Sequence, residues 1–73
     1  MRIEKHLPDE QILIELGSRF TRLRLEQNLT QAELARQAGV GVSTVQRLET
    51  GAVATQLSVF LRVCRVLGIL DRL

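Results

Sequence analysis

Between positions 29 and 51 the local chemistry leaves the chain little freedom. Thr30 stands three residues before Glu33, the spacing at which a threonine hydroxyl and a glutamate carboxylate satisfy two otherwise orphan amides at a helix start. Leu34 and Ala38 fall on one face of the helix that follows, and Ala35 is small enough to let another helix come close. Gly39 supplies the positive φ that ends this helix and turns the chain. Val45 and Leu48, three apart, then face inward from a second short helix that stops at Gly51. The spacing predicts helices over about 31–38 and 42–50, joined by a tight corner.

Such a pair is a helix-turn-helix, a motif whose second helix commonly enters the DNA major groove. The segment resembles the phage-repressor-like, or Xre-type, helix-turn-helix family. The resemblance rests on Thr30-Gln31, Glu33-Leu34-Ala35, Gly39, Val45, Leu48-Glu49 and Gly51. Leu16-Gly17, Phe20 and Leu23-Arg24 fit that family's first helix, and Phe60-Leu61 with Leu67-Gly68 fit its fourth. It covers about residues 16 to 70. It implies an all-α, compact four- to five-helix bundle of the lambda-repressor-like DNA-binding type.

Size and composition agree with one small helical domain over 1–73. Apolar residues make up 45% of the chain, with two Phe, no Trp and no Tyr, so Leu, Val, Ile and Ala must build the core. A domain this small has a marginal core and often leans on a partner subunit. No apolar run approaches the roughly 18 residues of a membrane span, and Arg2, Glu4, Lys5 and His6 precede no secretory apolar segment. The expected location is cytoplasmic. The single Cys64 excludes an internal disulfide and reads as a small buried hydrophobe. One His and no metal-spaced cluster or phosphate loop argue against an enzyme, and no cofactor or metal is expected.

Charge alone is a weak pointer to nucleic acid. The net charge is +2, and the excess comes from residues 51–73, with three basic groups and one acidic. Residues 1–27 carry five of each sign and residues 28–50 two of each. Any DNA footprint must come from placement rather than bulk charge.

Along the chain, Met1 to Leu7 has no clear period and reads as a flexible arm, a short strand or a frayed end. Pro8-Asp9-Glu10 starts a first helix, expected to run to about Gln27 with Leu13, Leu16, Phe20 and Leu23 inward. Ile12, Ile14 and Leu25 fall outside that stripe. For the 42–50 helix, Gly41 is the N-cap that the resemblance implies, while Ser43 with Gln46 would make a second capping box and a later start. Thr55 would cap a fourth helix over about 56–67 that ends at Gly68. Ile69 to Leu73 would begin a fifth, stopping within one turn, as in a chain cut from a longer one.

The second helix of the motif offers Val42, Ser43, Thr44, Gln46 and Arg47 for base readout. Arg pairs with guanine O6 and N7, Gln with adenine N6 and N7, and an apolar side chain meets a thymine methyl. The resemblance places base-reading positions at 42, 43, 44 and 47. It also makes Gln31 a phosphate clamp at the start of its helix; Thr30 and Thr50 are further phosphate candidates, and Arg36 reads equally as a backbone contact or a solvated charge. By the same resemblance Arg24 pairs with Glu49. After Gly51 many family members carry Lys, Arg or Asn, where this chain has Ala52, Val53 and Ala54. That departure favours weaker DNA binding or a protein contact.

On the fourth helix, Phe60, Leu61, Cys64 and Leu67 are expected to face the domain core. Val59, Val63 and Val66, with Ile69, Leu70 and Leu73, are expected to form a two-fold dimer interface, the alternative being that the three valines pack on the first helix. A dimer would set two reading helices about 34 Å apart on a near-palindromic operator. The expected function is sequence-specific binding of double-stranded DNA as a homodimer, regulating transcription as a repressor. The stretch from Thr55-Gln56-Leu57 through Gly68-Ile69-Leu70-Asp71-Arg72-Leu73 is also similar to HipB-like antitoxin regulators, which implies a kinase-like toxin as a second partner. The rival reading is a protein-interaction module that kept the frame and lost DNA binding.

Overall fold

In a computed structural model of the chain, residues 3, 5–52 and 56–69 are described. Four helices follow in order: α1 (Asp9–Glu26), α2 (Gln31–Ala38), α3 (Val42–Thr50) and α4 (Leu57–Leu67). Among the described residues there is no strand. Of the expected arm at 1–7, residues 3 and 5–7 are described; the Val53 and Ala54 loop, and Leu70, Leu73 and the rest of a fifth helix past Ile69, lie outside the described residues. The N-cap of α4 is Gln56 rather than the expected Thr55, and α4 starts at Leu57.

Each boundary has a local cause. Pro8 is the extended N-cap of α1 rather than its first turn, and its carbonyl accepts from Gln11 and Ile12. Asp9 and Glu10 then oppose the positive end of the helix. Past Glu26, Asn28 adopts φ 58°, a left-handed turn that asparagine tolerates better than other side chains do. For α2 the capping box is complete: the Glu33 amide donates to Thr30 Oγ1 at 3.0 Å, and the Thr30 amide donates to Glu33 Oε1 at 2.8 Å. Gly39 closes α2 at φ 70°, which lets the Val40 amide reach back to the Ala35 carbonyl at 2.9 Å. The N-cap of α3 is Gly41, so Ser43 and Gln46 lie inside the helix and do not cap it.

The core joins all four helices. Phe20 of α1 meets Leu34, Ala35 and Ala38 of α2, Val45 of α3, and Val63, Cys64 and Leu67 of α4. The Phe20 and Phe60 rings sit 5.6 Å apart and tilted by 56°, a geometry worth about 1 kcal/mol beyond area burial. Burial pushes the Cys64 thiol up from its ordinary value, so it stays a neutral, packed group.

Two close backbone approaches fix α1 against the end of α3. A Cβ on Gly17 would lie 2.5 Å from the Glu49 carbonyl oxygen and meet the Leu48 carbonyl as well. A Cβ on Gly51 would lie 2.7 Å from the Ile14 backbone, and Gly51 holds φ 81°. Only glycine at both positions allows this contact.

The inward face of α4 agrees with the sequence expectation at Phe60, Cys64 and Leu67 and differs at Leu61 and Val63. Val63 is 1% exposed within its own domain, so it cannot line a dimer interface. Leu61, expected in the core, is 37% exposed. The buried stripe is Phe60, Val63, Cys64 and Leu67, the i, i+3, i+4, i+7 pattern of one helical face. Val66 and Ile69 pack, half-buried, against that same core, and Val59 is half-buried. This packing serves the domain itself.

Candidate nucleic-acid interface

The α3 helix presents one edge to solvent. Val42, Ser43, Gln46, Arg47 and Thr50 are exposed, while Val45 is buried and Leu48 packs on the core. Thr44 is half-buried, turned partly toward the protein, and is the least available of the five residues considered for base readout. Gln46 stands one turn from Val42 on the exposed edge. The Thr50 hydroxyl donates to the Arg47 carbonyl at 3.1 Å and still holds lone pairs for water.

At its far end α3 is bolted down. Arg24 Nε donates to Glu49 Oε2 at 2.7 Å and Arg24 Nη2 to Glu49 Oε1 at 3.2 Å. The third arm of the guanidinium, Nη1, donates to the Leu29 carbonyl at 2.8 Å, just before the Thr30 cap. Gln31 Nε2 donates to Glu49 Oε1 at 3.0 Å. Glu49 therefore gathers donors from α1 and α2. Burial pushes its carboxyl up, but hydrogen bonds from Arg24, Gln31 and Thr21, with the charge of Arg24, outweigh this and hold it below its ordinary value.

The start of α2 lies beside this junction. A helix leaves its first amides without intrahelical partners. The capping box uses the Thr30 and Glu33 amides, which leaves those of Gln31 and Ala32 without an intrahelical partner at the positive end of the dipole. The Glu33 carboxyl is held below its ordinary value, first by the Thr30 amide and then by the Thr30 hydroxyl. Arg36 is exposed in the last turn of the same helix.

Sequence reasoning missed two features. The bond from Gln31 to Glu49 joins residues 18 apart, and the bond from Gln27 Nε2 to the Leu67 carbonyl, at 2.8 Å, joins residues 40 apart. No local pattern announces either. Gly17 did carry a signal, since a glycine inside a helical pattern costs about 1 kcal/mol against alanine and needs a packing reason.

Among the described residues, no group of three His, Cys, Asp or Glu side chains could hold a metal ion. No described helix is long and apolar enough to cross a membrane.

A buried four-helix core that presents the polar edge of a short helix beside a capped helix start defines a helix-turn-helix domain. A family model described as a helix-turn-helix domain matches residues 15–73. The chain is also 41% identical, over 54 residues, to an uncharacterised HTH-type transcriptional regulator, y4mF, of Sinorhizobium fredii (strain NBRC 101917 / NGR234). That match covers 74% of this chain and 71% of the relative. The chain belongs to the helix-turn-helix family.

Proposed function

We propose that this chain is a sequence-specific, double-stranded DNA-binding transcriptional regulator of the Xre-like kind, acting in the cytoplasm as a homodimeric repressor. The observation that carries this reading is the exposed edge of α3, Val42, Ser43, Gln46 and Arg47, on a helix whose other end is fixed by Glu49. Arg47 would take guanine, Gln46 adenine and Val42 a thymine methyl. The amides of Gln31 and Ala32, with the Thr30 hydroxyl and the Thr50 hydroxyl once it turns from the Arg47 carbonyl, would hold phosphates and set the register. Repression would follow from occupying promoter DNA.

Support for a dimer comes from Leu57 and Leu61, one turn apart on α4 and 72% and 37% exposed. This edge stands in for the valine stripe, whose middle member, Val63, is buried in the core. A second copy covering it would set two α3 helices on successive turns of a near-palindromic site.

Selection from a random duplex pool tests the function. A DNA regulator recovers a site with two related halves and loses affinity steeply as salt rises. A pool that stays random, with no retained duplex at low salt, would leave only the protein-interaction reading. Sedimentation of the wild type and of a Leu57→Glu, Leu61→Glu variant tests the dimer. A monomeric wild type at tens of micromolar, or a variant that dimerises as well, rules out this edge.

A further inference from the structure

Glu49 is spent on more than an ion pair. One of its oxygens, Oε2, takes Arg24 Nε, and the other, Oε1, is shared between Arg24 Nη2 and Gln31 Nε2. A carboxylate only accepts, so it fixes which end of the Gln31 amide turns inward. The NH2 end faces Glu49, and its second N–H remains free to donate. A negative group near a phosphate would normally repel it, but here the Arg24 guanidinium, only 11% exposed, neutralises Glu49 at contact distance. The carboxylate can thus orient the glutamine without opposing an anion.

We propose that Glu49 is a positioning residue for phosphate binding: it presets the Gln31 side-chain amide so that this amide, with the backbone amides of Gln31 and Ala32, meets one phosphate of the duplex. This rests on the DNA reading above and deepens it. Because Glu49 belongs to α3 and Gln31 to α2, the phosphate grip and the reading helix share one anchor. Register on the backbone and placement of the base-reading edge are then set together, by a side chain that is only 6% exposed.

The test uses the full chain and the duplex site recovered by selection, with each phosphate in turn replaced by a neutral methylphosphonate. Wild-type protein should lose about tenfold at one position, the worth of one charge-assisted hydrogen bond. Gln31→Ala should lose a similar factor on the unmodified site and become less sensitive to that position, because the backbone amides of residues 31 and 32 keep part of the grip. Glu49→Gln keeps the side chain's size and one acceptor for Arg24 but gives up the acceptor Gln31 uses, and it should show the same reduced sensitivity. Adding Glu49→Gln to Gln31→Ala should cost nothing more. Should Glu49→Gln prove unfolded by circular dichroism, Arg24→Met with Glu49→Leu replaces the pair by apolar volume and serves the same purpose. Additive losses, or a Glu49 variant that keeps the phosphate footprint, overturn the positioning role alone. An unchanged affinity for Gln31→Ala overturns both it and the phosphate role of Gln31. Failure of the wild type to hold any duplex overturns the DNA reading itself.

Discussion

Arg24 on α1 and Glu49 at the end of α3 meet through two hydrogen bonds, 2.7 and 3.2 Å long, with only 11% and 6% of their side chains exposed. The two residues stand 25 positions apart in the chain. Attraction at such a site is offset by the cost of removing both charges from water, so the pair adds little net stability over a well-packed apolar pair. Loss of one partner is another matter, because it strands a charge. Arg24→Met alone and Glu49→Leu alone should each cost about 3 kcal/mol in urea unfolding. The double variant should cost much less than their sum. Additive losses would show that the two side chains do not interact in solution.

Acid should weaken the fold through the same group. The folded-state pKa of Glu49 lies below its ordinary value of 4.5, so the unfolded chain binds more protons as pH falls. The stabilisation is full above the unfolded pKa and is lost as pH drops through the folded one. Wild-type melting temperature should therefore hold near pH 6 and decline below about pH 4.5. Glu49→Gln, with a lower plateau, should decline less steeply over that window. Parallel curves would remove Glu49 from the acid response.

Gly17→Ala sets two effects against each other. Helix propensity favours alanine by about 1 kcal/mol. The added Cβ would press on the carbonyls of Leu48 and Glu49, which are backbone and cannot swing aside. Overpacking of this kind costs about 1–3 kcal/mol, and displacing two backbone carbonyls belongs at or above the upper end. The expected net result is a melting temperature lower by about 5 °C or more. An unchanged or raised melting temperature would mean that α1 and α3 do not approach this closely.

Arg47→Ala tests base readout. Arg47 is an exposed, long donor on the α3 edge. Its removal should cost about 1–3 kcal/mol at the selected site and relax preference at one base pair. An equal loss on every duplex would make it a phosphate contact, and no loss anywhere would take it out of the interface.

The middle of this fold is written locally. The bounds of α2 and α3 follow from Thr30 with Glu33, Gly39, Gly41 and Gly51, because caps and left-handed glycines act within one turn of the helices they bound. The pairing of Arg24 with Glu49 was legible only through resemblance, since nothing local to either residue points to the other. Which face of α4 turns inward was legible in part: Phe60, Cys64 and Leu67 were expected there, while Leu61 and Val63 changed places. Phe60, Leu61, Val63, Cys64, Val66 and Leu67 crowd apolar groups around most of that helix, and periodicity alone allows more than one rotation. Packing against Phe20 and α2 chose Val63 and left Leu57 and Leu61 outside. Tertiary structure likewise put the Gln31 amide on Glu49 and the Gln27 amide on the Leu67 carbonyl. By itself the sequence determined where three helices stop and how the corner between α2 and α3 turns. The rest depended on which surfaces meet, and that is decided by the joint fit of side chains far apart in the chain.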